Sequence, residues 1–241
     1  MQLAEELKAR QATEKALLIA NEKLNNLGSI TRHDIMNQVT CIRGYAYLSE
    51  IADSLEEVHA YGKEINRISH VIEDIIAFSR DYHNLGVNGP VWNNVESLVY
   101  NSIMVPFRDK VTLTIHASDL EILADPLFQR VFYNLADNSL KHGGDDVNSI
   151  SIHFYEKDDA GVLLYCDAGT GIPPDEKEVI FQKGFGKGTG LGLFLIREIL
   201  AITGITIQET GEYTNGVRFE IHIPKGQYRF VSRIKTVQND K

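Results

Sequence analysis

Several things are scarce in this 241-residue chain, and each scarcity excludes something. There are two cysteines, Cys41 and Cys166, far apart and in no metal-ligand spacing. A disulfide scaffold and a cysteine-based zinc site are therefore excluded, and free thiols in a reducing compartment are expected. Positive charge is in deficit: the formal net charge is −9. Phosphate backbones are gripped by clustered Lys and Arg, so nucleic acid is not an expected partner. No apolar run approaches the roughly 20 residues that span a bilayer, and no signal peptide opens the chain. A cytoplasmic protein making no membrane contact of its own is expected. There are no internal repeats or low-complexity tracts. What is present, 43% hydrophobic and 24% charged residues, is ordinary for a globular protein of more than one domain.

Residues 2–27 contain neither Pro nor Gly. Leu3, Leu7, Ala12, Leu17, Leu24 and Leu27 recur roughly at helical spacing among Glu and Lys. A helix of this kind has no globular partner beside it in the sequence, so residues 1–28 are expected to form a parallel coiled coil with a second copy. Such a helix calls for an input domain ahead of it, which this sequence does not contain.

After Gly28-Ser29 come two more helical stretches. One runs over about Ser29–Ser54, with Ile35, Val39, Ile42, Ala46 and Ile51 on one side. The other runs over about Glu56–Tyr82, with Val58, Tyr61, Ile65, Ile68, Ile72, Ile75 and Ile76. They read as an antiparallel hairpin over 29–84 whose apolar stripes are broader than two helices can bury. Dimerisation into a four-helix bundle would cover them. The turn formers of residues 85–90 make a linker. Beyond it the pattern is α+β over 91–226, an arrangement of helices on one face of a mostly antiparallel sheet. Strands are expected at Thr112–His116, Ser151–Glu156, Gly161–Asp167, Thr206–Glu209 and Val217–Ile223. Helices are expected at Val95–Arg108, Asp125–Lys141 and Gly190–Thr203. Residues 227–241 read as a loose tail.

Within the second domain, Asn134, Asn138 and Lys141 are spaced to share a helix face. Amide oxygens suit Mg²⁺, which is usually shared with nucleotide phosphates, and a lysine one turn away can hold a phosphate. Asp167-Ala-Gly169-Thr-Gly171 follows an apolar strand. A carboxylate there can accept the exocyclic amine of adenine while glycine backbone passes beside the ring. Lys187-Gly188-Thr189-Gly190-Leu191-Gly192 runs straight into an apolar helix, the layout of a phosphate cradle. It matches neither the P-loop nor the dinucleotide fingerprint in spacing. Gly211–Pro224 reads as a hairpin turn and closing strand.

In this order and spacing the segments resemble the N box, the two glycine boxes and the terminal strand of the histidine-kinase ATPase domain, of the Bergerat or GHKL type. Gly188-Thr-Gly190-Leu-Gly192-Leu is especially diagnostic, and Ile180-Phe181-Gln-Lys-Gly-Phe185 takes the place of the phenylalanine box. The resemblance covers roughly residues 29–225. It implies a sensor histidine kinase of a two-component system, using ATP and Mg²⁺. Asn138, with Asn134 as a second candidate, would hold the metal. Lys141, His142, Asp167, Gly169, Gly171, Lys187, Gly188, Thr189, Gly190, Leu191 and Gly192 would line the ATP site.

The same resemblance singles out Thr31-Arg-His33-Asp34-Ile-Met-Asn37 on the first hairpin helix. His33 would be the phosphoacceptor, Asp34 its orienting base, and Asn37 a group that also supports dephosphorylation of the partner. That partner would be the receiver domain of a response regulator, which takes the phosphoryl group on an aspartate. Two departures stand out: Gln38 replaces the common Pro five residues after the histidine, and the stretch before the glycine run is short, so the ATP lid should be small. A gyrase-type hydrolase would need a carboxylate where Asn134 stands. A non-catalytic dimeric scaffold is the remaining alternative.

Overall fold

The computed structural model describes residues 32–144, 147–186 and 188–231. The coiled coil expected at 1–28 lies outside the described residues, as does Lys187. The chain divides into two compact units, 1–83 and 84–241.

In the first unit, helix α1 covers residues 32–50 and helix α2 covers Leu55–Asn84. A short break at 51–54 separates them, and Glu57 N donates to Ser54 Oγ at 3.2 Å, an N-terminal cap that starts α2. Tyr45 of α1 lies against Tyr61 of α2, ring centroids 6.0 Å apart. Helix α1 runs through Gln38 without interruption, as expected where no proline removes a backbone donor. Met36, Tyr47, Ile51, Leu55 and Ile76 remain exposed.

The second unit is an α+β sandwich. Its larger sheet has the order β2-β4-β5-β7-β6, built from Thr112–His116 (β2), Ser149–Lys157 (β4), Ala160–Asp167 (β5), Thr206–Glu209 (β6) and Arg218–Ile223 (β7). Only β2 and β4 pair in parallel; the other ladders are antiparallel. Alternation along β7, with Phe219, Ile221 and Ile223 buried and Arg218, Glu220 and His222 turned out, assigns one face to the core. Against it lie α3 (Val95–Phe107), α4 (Phe128–His142) and α5 (Gly192–Ala201).

A smaller sheet, β1-β3-β8, was not expected. It consists of Val91–Asn94 (β1), Leu120–Ala124 (β3) and Tyr228–Phe230 (β8). Strand β8 corrects the expectation of a loose tail from 227: Leu120–Ile122 pair with it, and Arg229 forms an ion pair with Glu121. The 85–90 stretch is likewise no free tether. Gly86 N donates to the Asp125 carboxylate at 3.0 Å, which ties this stretch to the second unit.

Helix α4 is pinned to the sheet by one buried polar contact, Ser139 Oγ to Tyr165 Oη at 2.9 Å. Burial pushes the Tyr165 phenol well above its ordinary value, so it stays protonated and can donate. This bond contributes on the order of 1 kcal/mol and fixes the rotation of α4, and with it the direction in which Asn134 and Asn138 point.

Candidate functional site

Strand β5 ends at Asp167, where the polypeptide must turn. Asp167 Oδ1 accepts two backbone N–H groups, from Gly169 and Val217, each at 2.9 Å. Its other oxygen, Oδ2, is buried and has no hydrogen-bond partner among the described residues. A buried carboxylate oxygen left unpaired costs free energy, on the order of 1–3 kcal/mol or more. At a strand end beside glycines, this oxygen is free to accept an N–H donor.

The backbone around it is crowded. Gly171 has φ +71°, and a Cβ there would sit 2.7 Å from Gly216 O. Thr214 N donates to Thr170 O at 2.8 Å and Thr170 N to Gly143 O at 2.9 Å. Thus the end of α4, the 167–171 turn and the 211–217 loop enclose Asp167, and only glycine fits the closest approach.

On the α4 side, Asn134 and Asn138 are half-buried neighbours one turn apart. A Cβ at Gly192 would stand 3.8 Å from both Asn138 Nδ2 and Oδ1, and 4.0 Å from Asn134 Cγ. The N-terminus of α5 therefore opens beside both amides, and its N-cap, Leu191, makes no side-chain capping bond. The backbone donors of its first turn and its dipole suit an anion. Helix α5 is entered from a closed ring of backbone: Gly184 N donates to Gly190 O at 3.1 Å. Gly190 has φ +63°, and a Cβ on it would come within 2.4 Å of Gly184 C. Gly188 and Thr189 lie between these glycines in the sequence, where a small lid is expected. Phe181, buried ahead of it, packs on Phe219 and under Arg197, whose guanidinium carbon is 4.5 Å from the ring centroid.

The geometry thus brings Asn134, Asn138, Gly190, Leu191 and Gly192 to one place, and Asp167, Gly169 and Gly171 to another on the same unit. Lys141 Nζ pairs with Asp137 at 2.8 Å, along α4. His142 is exposed at the last turn of α4. No group of three or more His, Cys, Asp or Glu side chains suited to a metal occurs among the described residues. The paired amides beside an uncapped helix N-terminus nevertheless fit Mg²⁺ of the kind that keeps its waters and is held jointly by phosphates.

In the first unit, His33 is 73% exposed on α1. Asp34 Oδ1 lies 3.3 Å and Asn37 Nδ2 3.2 Å from His33 Nδ1. Nδ1 can donate to Asp34 when protonated or accept from Asn37 when it is not, and Nε2 is in neither contact.

Sequence reasoning missed Glu209 and Lys177. Glu209 is a buried carboxylate at the end of β6, and Lys177 Nζ reaches its Oε2 at 2.8 Å. They stand 32 positions apart, and no local pattern links them.

The family model described as histidine kinase-, DNA gyrase B-, and HSP90-like ATPase matches residues 123–227. Sensor histidine kinase ZraS of Escherichia coli O157:H7 is 29% identical over 221 residues, 84% of this chain and 47% of the relative. The chain thus spans about half the length of that curated relative. Among solved structures, histidine kinase ThkA in complex with response regulator protein TrrA is similar with a TM-score of 0.60 at 23% identity, over 86% of this chain and 64% of that one. Full-length ShkA in complex with AMPPNP gives a TM-score of 0.56 at 19% identity, over 86% of this chain and 46% of that one. At these identities the two structures speak to the fold.

Proposed function

We propose that this chain, which is similar to sensor histidine kinases and is matched over residues 123–227 by the ATPase family model, transfers the γ-phosphoryl group of ATP to its own His33. The observation that carries the proposal is the buried, unpartnered Oδ2 of Asp167, which is matched by the exocyclic amine of adenine.

In this reading Asp167 seats the base, with the Gly169–Gly171 backbone alongside. The amides of Asn134 and Asn138 would hold Mg²⁺. The N–H groups at the start of α5 and the Gly188–Gly192 backbone receive the triphosphate. Lys141 exchanges Asp137 for phosphate, and His142 stands at the rim. The metal supplies charge neutralisation across the phosphates. His33 in the tautomer that donates Nδ1–H to Asp34 has its lone pair on Nε2. Nε2 bonds to the γ-phosphorus as the bond to the β–γ bridging oxygen breaks, and ADP departs. Most of the rate enhancement is positioning and charge. In that tautomer the Asn37 amide is released from Nδ1 and is available to position water when phosphate is removed from the partner.

The exposed apolar side chains of the hairpin support a homodimer with a four-helix bundle at its centre. An upstream sensor domain and a cytoplasmic setting complete the picture. The phosphoryl group passes to an aspartate of a response-regulator receiver domain docked on the hairpin. The ThkA structure is titled as a complex with a response regulator protein, which supports that assignment.

The test is incubation with ATP labelled at the γ-phosphate. We expect protein-bound label that is acid-labile and alkali-stable, and that disappears when EDTA removes divalent metal. Saturable nucleotide binding without label would favour the non-catalytic scaffold instead.

A further inference from the structure

The 211–217 loop between β6 and β7 forms one wall of the Asp167 seat, and its neck is tied by a buried ion pair. Glu209 Oε1 accepts from Gly211 N at 2.9 Å and from Arg218 N at 3.1 Å, one donor from each side of the neck. Lys177 Nζ meets Glu209 Oε2 at 2.8 Å and also donates to Gly211 O. The Glu209 side chain is fully buried and Lys177 is 21% exposed. Beyond the neck, the loop reaches the site directly. Val217 N holds Asp167 Oδ1, and Gly216 passes so close that a Cβ on it would fall 2.0 Å from Asp167 O.

Lys177 belongs to a different segment. It sits in the run of turns that leads from Gly171 to Phe181, where Ile180 N donates to Glu176 O at 2.9 Å. That run ends at the lid ring. The ion pair therefore joins the two chain segments that leave the adenine seat, one on its way to the lid and one on its way back to the sheet. A buried pair of this kind adds little net stability, because desolvation offsets most of the attraction, and losing one partner leaves a buried charge uncompensated.

We infer that Lys177 and Glu209 are positioning residues for the nucleotide: their ion pair clamps the 211–217 loop against the pre-lid segment and so holds the Asp167 carboxylate in register for the base. The inference rests on the nucleotide reading above. Neither residue touches the reacting atoms, so the clamp acts on nucleotide affinity and leaves the transfer step alone.

The experiment uses the whole chain with ADP carrying a fluorescent methylanthraniloyl group on its ribose. Wild type is compared with Lys177→Met, Lys177→Arg, Glu209→Gln and the Lys177→Met/Glu209→Gln double variant. Thermal melts establish folding, and label incorporation gives KM for ATP and the saturating rate. We expect Lys177→Met and Glu209→Gln to raise Kd for ADP and KM for ATP by about tenfold, with the saturating rate within about twofold of wild type. Lys177→Arg should recover most of the affinity. The double variant should be no worse than the weaker single one, because both changes open the same clamp. Equal ADP affinity in wild type and the folded single variants overturns the inference, as does a fall in saturating rate at constant KM. Should Glu209→Gln fail to fold, the partly exposed Lys177→Met decides. Wild type that binds no ADP sinks the nucleotide reading, and the clamp with it.

Discussion

Replacing His33 by Gln should reduce acid-labile label to background while leaving ADP affinity and the melting temperature unchanged. Gln has similar reach and polarity but no ring nitrogen that can attack phosphorus. The ring is largely exposed and its two polar contacts are to Asp34 and Asn37, so little packing is lost. The neighbours separate by role. Asp34→Asn keeps an oxygen near Nδ1 but removes the charge that steadies the ring as Nε2 acquires phosphorus, and should cost about 100-fold or more in labelling rate. Asn37→Ala should leave labelling nearly intact and slow the dephosphorylation of a phosphorylated receiver domain. Label that survives His33→Gln would place the acceptor elsewhere.

Asp167→Asn should weaken adenine nucleotide binding by about 100-fold, the cost of losing a charge-assisted hydrogen bond and opposing two donors. The substitution is isosteric, and the amide oxygen can still accept from Gly169 N and Val217 N, so the turn survives. The change falls on Oδ2, where an N–H₂ group would face the adenine amine. Guanine offers a carbonyl at that position, so the variant should also lose most of its preference for ATP over GTP. A calorimetric titration with each nucleotide reads both effects. Undiminished ATP affinity in the variant would remove Asp167 from the seat, and with it the observation on which the functional reading leans.

The larger sheet and the helices were legible because each is long enough to display its pattern. Ser149–Lys157 alternates at Ile150 and Ile152, Ala160–Asp167 is a continuous apolar run up to its closing Asp167, and α4 carries Phe128, Val131, Phe132, Leu135 and Ala136 along its buried face. The smaller sheet was not legible. Its strands have four, five and three residues, too few to tell alternation from chance, and β8 is recruited from a stretch that reads as a tail. The site divides in the same way. Asp34 and Asn37 lie within one turn of His33, and Asn134 within one turn of Asn138, so helical spacing alone brings them together. Val217, which helps hold Asp167, is 50 positions away, and the Glu209–Lys177 clamp is equally non-local. Lys141 shows the limit of spacing within a helix: i,i+3 geometry offers it to Asn138, but Asp137 at i−4 supplies a carboxylate and takes the ammonium.

The most direct test of the central claim is to map the phosphate. The chain is incubated with Mg²⁺ and ATP, digested at neutral to alkaline pH, and its peptides are fragmented by mass spectrometry under conditions that preserve phosphohistidine. The account predicts one phosphorylated peptide, spanning Arg32–Met36, with the phosphoryl group on His33. A phosphoryl group found only on Ser, Thr or another histidine would contradict it.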